Sequence, residues 1–340
     1  MKKIVEHLKL VLGVVLFFAL LFSLTCRYNF YSIINNHIQK EINSSRTGRI
    51  KEPLKRIELI RDICGELCNT TRNGTYGHFF NHINSTVNCK ALFKTDYFDQ
   101  SHGSLHAPQT IPDELFSDFT MGYKMPVQYT YYDEPYLGKN AKTNLWTKDL
   151  IDKWVSLARR GILTGNYGVE ETNALRDGLK NAPGLLNGRI LVIGSETPWV
   201  ESCCLEAGAK EVVTLEYGRI TSLHSKVKTV TPSDFRFLYL NDSLGKFDAV
   251  VTFSSVEHSG LGRYGDALNP WGDIIAVARG WCVTKIGGSL TIGVTYNYDN
   301  EYIEFNAHRW YGKLRYPYLC TNWRQHYRGI GTQRVHVFVK

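Results

Sequence analysis

The second half of the chain alternates between two hydrophobic patterns. Arg189–Ile193, Glu211–Leu215 and Phe247–Phe253 are short apolar runs rich in β-branched residues, as expected of strands buried on both faces. Residues 228–230, 289–296 and 335–339 predict three more strands. Between the first two runs, Pro198 suits the first turn of a helix and Gly208 its C-cap. Residues 271–284 place Ile274, Val277, Ala278 and Trp281 on one helical face, closed by Gly287 and Gly288. Two helices precede the first strand. Residues 146–160 align Leu150, Ile151, Trp154, Leu157 and Ala158, and residues 169–179 stop at the Asn181-Ala182-Pro183-Gly184 break. Residues 51–67 predict an amphipathic helix through Leu54, Ile57, Ile60 and Leu67, while Pro108, Pro112, Pro126 and Pro135 predict extended chain over 106–135.

Strands alternating with helices predict an α/β fold: a Rossmann-like, doubly wound, mainly parallel sheet. Ligands of such sheets bind beyond the carboxyl ends of the strands. Gly194, Glu216, Asp234 and the run Ser254–His258 fall at those ends. A helix N-terminus after Gly194 offers N–H groups to an anionic ligand, and an acid about 20 residues on accepts ribose hydroxyls.

The N-terminus has a different pattern. Leu10 to Leu24 is apolar except for Gly13 and Ser23, with Lys2, Lys3 and Lys9 before it and Arg27 after. This predicts a cytoplasmic tail over 1–9, a transmembrane signal anchor over 10–26, and a single-pass type II protein of the secretory pathway, Golgi or ER, with its C-terminal domain lumenal. A cleaved signal peptide is the alternative, with a long apolar core and a poor cleavage site at Ser23-Leu24-Thr25. Residues 27–105 read as a lumenal stem or small subdomain and 106–340 as the α/β domain. Glycosylation sequons start at Asn43, Asn69, Asn73, Asn84 and Asn241. Cys64, Cys68 and Cys89 lie in the same stretch, and an oxidising lumen would allow one pair to join. No His–Cys spacing supports zinc.

At 340 residues the chain can bury one large core or two modest ones, and its net charge of +8 is moderate. The charge is uneven. After Glu304 there is no acid, while Arg309, Lys313, Arg315, Arg324, Arg328, Arg334 and Lys340 interleave with aromatic residues. Such a pattern suits single-stranded nucleic acid, but a lumenal location excludes that partner. The expectation is a solvated face over aromatic packing, with His308 and Arg309 as candidate substrate contacts for a sugar or anionic group.

From Arg189 to Tyr296 the order of motifs resembles the class I S-adenosylmethionine-dependent methyltransferases. The resemblance makes LVIGSE the first-strand motif, Glu216 the ribose acid and FDAVVTFSSVEH the fourth-strand motif. IIAVARGWCVTKIGGSLTIGV is similar to the helix, turn and strand that follow. It implies S-adenosylmethionine as cofactor, with Gly194, Ser195, Glu196, Glu216, Asp234 and Ser254 around it. From about Ile111 onward the chain also resembles a nematode-expanded family of unknown function, through SSVEHSGLGRYGDALNPWGD and FNAHRWYGKLRYP. That family implies a fold and no reaction. One departure stands out: the loop after the first strand has a single glycine, and Trp199 could occupy cofactor space.

Methyl transfer to a hydroxyl requires an in-line acceptor and removal of its proton. His258 is the candidate base, with a turn cap as its plain structural alternative. Glu257 would orient it or accept from substrate. Arg263, Tyr264 and Asp266, with Asn269 and Asp273, form a polar loop suited to substrate. Asp266, Asp273 and His258 lack compact metal spacing, so no metal is expected. No Gly-x-Ser-x-Gly elbow, P-loop or Asp-x-Asp motif is present. Two readings remain: O-methylation of a glycan or glycoprotein, or a non-catalytic binding protein that kept the fold without the cofactor.

Overall fold

The computed structural model describes residues 55–77, 79–96, 106–134 and 143–340. The expected tail and anchor over 1–26 and Asn43 lie outside the described residues. Among the described residues, no helix is long and apolar enough to cross a membrane. Residues 57–340 form one compact unit.

The main sheet has seven strands: β1 (Arg189–Ile193), β2 (Glu211–Leu215), β3 (Val227–Val230), β4 (Phe247–Phe253), β5 (Thr284–Thr295), β6 (Arg324–Arg328) and β7 (Gln333–Val339). Their order is β6-β7-β5-β4-β1-β2-β3. The first five are parallel, and β7 runs antiparallel to both β5 and β6. The order of the parallel strands is that of a doubly wound sheet, whose connections reverse direction between β1 and β4. Register fixes what emerges there. Ile193 pairs with Leu215 on one side and Thr252 on the other, so Gly194, Glu216 and Ser254 leave the sheet side by side.

Helices cover both faces. On one lie α1 (Lys148–Arg159), α2 (Val169–Lys180) and α3 (Trp199–Glu206), packed over Ile190, Val192, Ala249, Val251, Val335 and Val337. On the other lies α5 (Gly272–Val283), where a Cβ on Gly280 would stand 3.5 Å from both Ile193 and Val250. A further helix, α4 (Pro232–Leu240), follows β3. Thr231 and Asp234 close a capping box at its start, with Pro232 in the first turn.

Several expectations are corrected. Residues 106–135 are not simply extended: Asp113–Phe119 is a helix, with Pro112 at its N-cap and Asp113 and Glu114 in its first turn, so the prolines bracket the helix. β5 starts at Thr284, five residues earlier than the pattern suggested, and passes through Gly287 at φ +79°. The expected boundary near residue 105 lies outside the described residues. Helical residues 55–64 continue into a 3₁₀ turn, Gly65–Cys68, and bury Ile57, Ile60 and Leu67. Cys64 joins Cys68, while Cys89 joins Cys282 in α5, 193 residues away. Asn69, Asn73, Asn84 and Asn241 are exposed.

Candidate functional site

A cavity of about 170 Å³ opens beyond the carboxyl ends of β1, β2 and β4. Its floor depends on one glycine. Gly194 sits at φ +74°, and a Cβ there would lie 1.7 Å from Ser255 Oγ, so no side chain fits. Opposite it, Ser254 holds φ +48°, a left-handed conformation costly for a residue with a Cβ.

Ser195, Glu196, Glu216 and Ser254 line the cavity with Gly194. Glu216 Oε2 accepts the Ser195 N–H at 2.8 Å and Oε1 accepts the Tyr217 N–H at 2.7 Å. The Gly218 N–H also acts on this carboxylate, so three backbone donors hold it in place. Burial holds this carboxyl above its ordinary range, although the N–H donors oppose that shift. Glu196 is exposed, at the rim. Asp234 is corrected: it does not line the cavity, and its carboxylate accepts from the Thr231 hydroxyl in the capping box.

Behind Ser195 lies a residue the pattern did not single out. Glu201 is fully buried in α3, with Oε1 accepting the Thr214 hydroxyl at 2.7 Å and Oε2 3.0 Å from Ser195 Oγ. Desolvation pushes it up to about 7. Ser195 Oγ is also 2.8 Å from the Thr197 carbonyl, which can only accept. The Ser195 hydroxyl is thus within donating reach of both the Thr197 carbonyl and Glu201 Oε2, which ties the loop after β1 to the buried acid. An acid inside the apolar run Trp199–Glu206 was the available signal.

Trp199 does not plug the site. It is buried with its ring edge-on to Phe253 at 5.0 Å, forming one wall. Asn166 and Tyr167, also not anticipated, complete that side, with Asn166 Oδ1 accepting the Thr197 hydroxyl at 2.7 Å. Leu191, Leu215, Pro232, Phe235 and Ile275 give an apolar lining, with Arg279 beside them.

His258 lines the cavity. Its Nδ1 lies 2.6 Å from the Ala307 carbonyl, an obligate acceptor, so the proton sits on Nδ1 and Nε2 carries the lone pair. Burial pushes the imidazole down to about 3. The ring stays neutral, accepting a hydrogen bond well but holding a proton poorly. Glu257 is corrected more fully. It is 1% exposed, does not line the cavity and cannot orient His258, whose Nδ1 is taken. Neither of its oxygens has a hydrogen-bond partner of good geometry, and burial pushes it up to about 7 against the pull of nearby Ser254 and Ser255.

The polar loop is held largely by its own charges. Asp266 reaches the cavity wall, but accepts N–H bonds from Gly260 at 2.6 Å and Tyr264 at 3.3 Å. Tyr264 lines the cavity with its ring 5.6 Å from His258. Arg263 does not; it pairs with Glu134 at 3.0 Å and lies over Tyr132. His308 is also outside, 3.4 Å from Glu304. Arg309 is not a surface contact. It is 0% exposed and donates to the carbonyls of Ser259 at 2.7 Å and Glu257 at 3.3 Å. Arg315, equally buried, grips Asp273 with Nε at 2.8 Å and Nη2 at 2.7 Å. The expected solvated basic face is thus partly core, because Asp273 neutralises it from α5. Asn269 accepts the Trp271 N–H at 2.9 Å just ahead of α5. Among the described residues, no group of three or more His, Cys, Asp or Glu could hold a metal ion.

Comparison with known proteins places this geometry in context. A 1,6-didemethyltoxoflavin-N1-methyltransferase from Burkholderia thailandensis, with S-adenosylhomocysteine bound, superposes at TM-score 0.35 and 14% identity over 56% of this chain and 87% of that one. An O-methyltransferase from Bacillus cereus in complex with S-adenosylhomocysteine gives 0.34 and 11% over 56% and 90%. The N-methyltransferase NodS from Bradyrhizobium japonicum gives 0.33 and 12% over 50% and 94%. No curated protein matches the sequence. Residues 187–337 match the family model described as Caenorhabditis protein of unknown function, DUF268. That span begins just before β1 and ends inside β7.

Proposed function

We propose that the cavity binds S-adenosylmethionine and that the domain transfers its methyl group to an acceptor hydroxyl. The observation that carries this reading is Glu216, a carboxylate at the end of β2 that lines the cavity, beside a turn where Gly194 leaves no Cβ. These residues fit the cofactor: Glu216 would take the ribose hydroxyls, the Leu191–Phe235–Ile275 end its base, and Ser195 and Glu196 its amino-acid end. When bound, the cofactor supplies an electrophilic methyl on a sulfonium. His258 Nε2 would accept the hydrogen bond of the incoming hydroxyl and orient its oxygen, with Tyr264 beside it. The released proton passes to water, since His258 is held far below neutrality.

In this reading the acceptor is a glycan or glycoprotein hydroxyl, and the chain is a type II membrane protein of the secretory pathway. The apolar N-terminal run and the exposed sequons support that placement. Burial of Arg309 and Arg315 removes two cations from any nucleic-acid surface. One observation favours a binding protein without transfer. His258, pushed down to about 3 by burial, is a weak base. Calorimetric titration of S-adenosylmethionine and S-adenosylhomocysteine into the purified full chain separates these readings from the absence of a cofactor. Micromolar binding that is lost in Glu216→Ala supports the cofactor site. Absence of binding for both ligands sinks it.

A further inference from the structure

Helix Cys89–Lys94 precedes the sheet in sequence by almost a hundred residues, yet it packs against α4 and α5. These helices also close the base end of the cavity, through Phe235 and through Ile275 and Arg279. Phe93 is fully buried, stacks on Tyr239 with ring centroids 3.7 Å apart, and lies 5.7 Å from Phe235. The Arg279 guanidinium sits 5.1 Å over the Phe93 ring. It donates to the Leu92 carbonyl from Nε at 3.1 Å and Nη2 at 2.8 Å, and to Thr95 at 3.4 Å. The disulfide Cys89–Cys282 then fastens this helix to α5, one turn beyond Arg279. Two residues of the cavity wall are therefore seated on a segment outside the sheet.

We propose that helix Cys89–Lys94 is the backing of the base-binding end, and that Phe93 and the Cys89–Cys282 link are positioning elements that set affinity for a purine base there. This rests on the reading of the cavity as an S-adenosylmethionine site. α4 leaves Phe237 65% exposed on its outer side, while Phe235 is 1% exposed and meets the Phe93 ring at 5.7 Å. Dispersion contacts fall away within an ångström of added gap, and a ring that has lost its backing widens the slot. Arg279 would lose its bonds to the Leu92 and Thr95 carbonyls, each worth more than a neutral hydrogen bond because the donor is charged.

The test compares the oxidised full chain with Cys89→Ser/Cys282→Ser by titration of S-adenosylhomocysteine and of adenosine. Both ligands should bind about tenfold more weakly, corresponding to roughly 1.4 kcal/mol. An equal factor for adenosine places the loss at the base end. Phe237→Ser, on the exposed side of α4, should leave both affinities unchanged. If the double variant does not fold, Phe93→Leu keeps the link and carries the same expectation. Wild-type binding with unchanged affinity in a folded variant overturns this inference alone. Wild-type protein that binds neither ligand overturns it together with the reading beneath it.

Discussion

Ser195 and Glu216 are joined across the crevice between β1 and β2, the backbone N–H of one donating to the carboxylate of the other at 2.8 Å. The bond fixes the loop after β1 against Glu216, which lines the cavity. Glu216→Gln puts an amide NH₂ among the N–H donors of Ser195 and Tyr217, so one oxygen's worth of acceptance is lost. Hydrogen bonds to charged groups contribute about 1.5–3 kcal/mol, so S-adenosylhomocysteine should bind roughly 10–100-fold more weakly by calorimetry. Unchanged affinity would remove Glu216 from the site.

Gly194 should tolerate no side chain. Gly194→Ala combines a positive φ with a Cβ 1.7 Å from Ser255 Oγ, and strain of this kind costs about 1–3 kcal/mol before any displacement of Ser255. Urea unfolding should show that loss. Ligand binding should fall as well, because Ser255 also lines the cavity.

Glu201 gives the fold a pH dependence of defined sign. Its folded value near 7 lies above the ordinary 4.5, so between those values the folded state binds more protons than the unfolded state. Its contribution is fully present below about pH 4.5 and is lost as pH rises through 7. Glu201→Gln mimics the protonated form. The variant should therefore gain stability relative to wild type as pH is raised from 4.5 to 8, by on the order of 1–3 kcal/mol. His258 and His336, each pushed down to about 3 by burial, tilt the wild-type profile the opposite way between 6.5 and 3. The difference between variant and wild type is thus the quantity to measure. A flat difference would show that Glu201 is ionised throughout.

Arg315→Met should be among the most destabilising single changes in the domain. It strands Asp273, whose carboxyl the two arginines hold down to about 2 against the cost of burial. Arg309 then remains at 3.8 Å and the neutral Tyr311 hydroxyl at 2.9 Å. Removing one partner of a buried pair costs about 3–5 kcal/mol, measurable by denaturant titration. A shift below 1 kcal/mol would mean that water enters the Asp273 site.

The parallel sheet was legible because strands buried on both faces leave an unambiguous trace: Phe247–Phe253 matches β4 residue for residue. The half-buried strands were not. Tyr302–Phe305 and His308–Trp310 are three or four residues long and alternate, too short for a period to register. Asp234 shows a different failure. Thr231-Pro232-Ser233-Asp234 carries a capping box in plain sight, yet an acid after a strand was read as a ligand contact before it was read as a cap. Arg309 and Arg315 were misplaced because a basic stretch reads as surface until its counter-charge is found, and Asp273 lies far away in sequence. Gly194, Glu216 and His258 were legible because register at the end of a parallel sheet follows from the strands alone.

The bridge between Cys89 and Cys282 turns 193 residues of separation into a closed ring of polypeptide that contains β1 to β4. In the chain-entropy account, closing a ring of this size restricts the unfolded chain by roughly 5 kcal/mol. A single backbone cut anywhere inside the ring would leave the two pieces as one molecule. Such a nick would pass unnoticed until the protein was reduced, so intactness judged under oxidising conditions would say nothing about continuity of the chain.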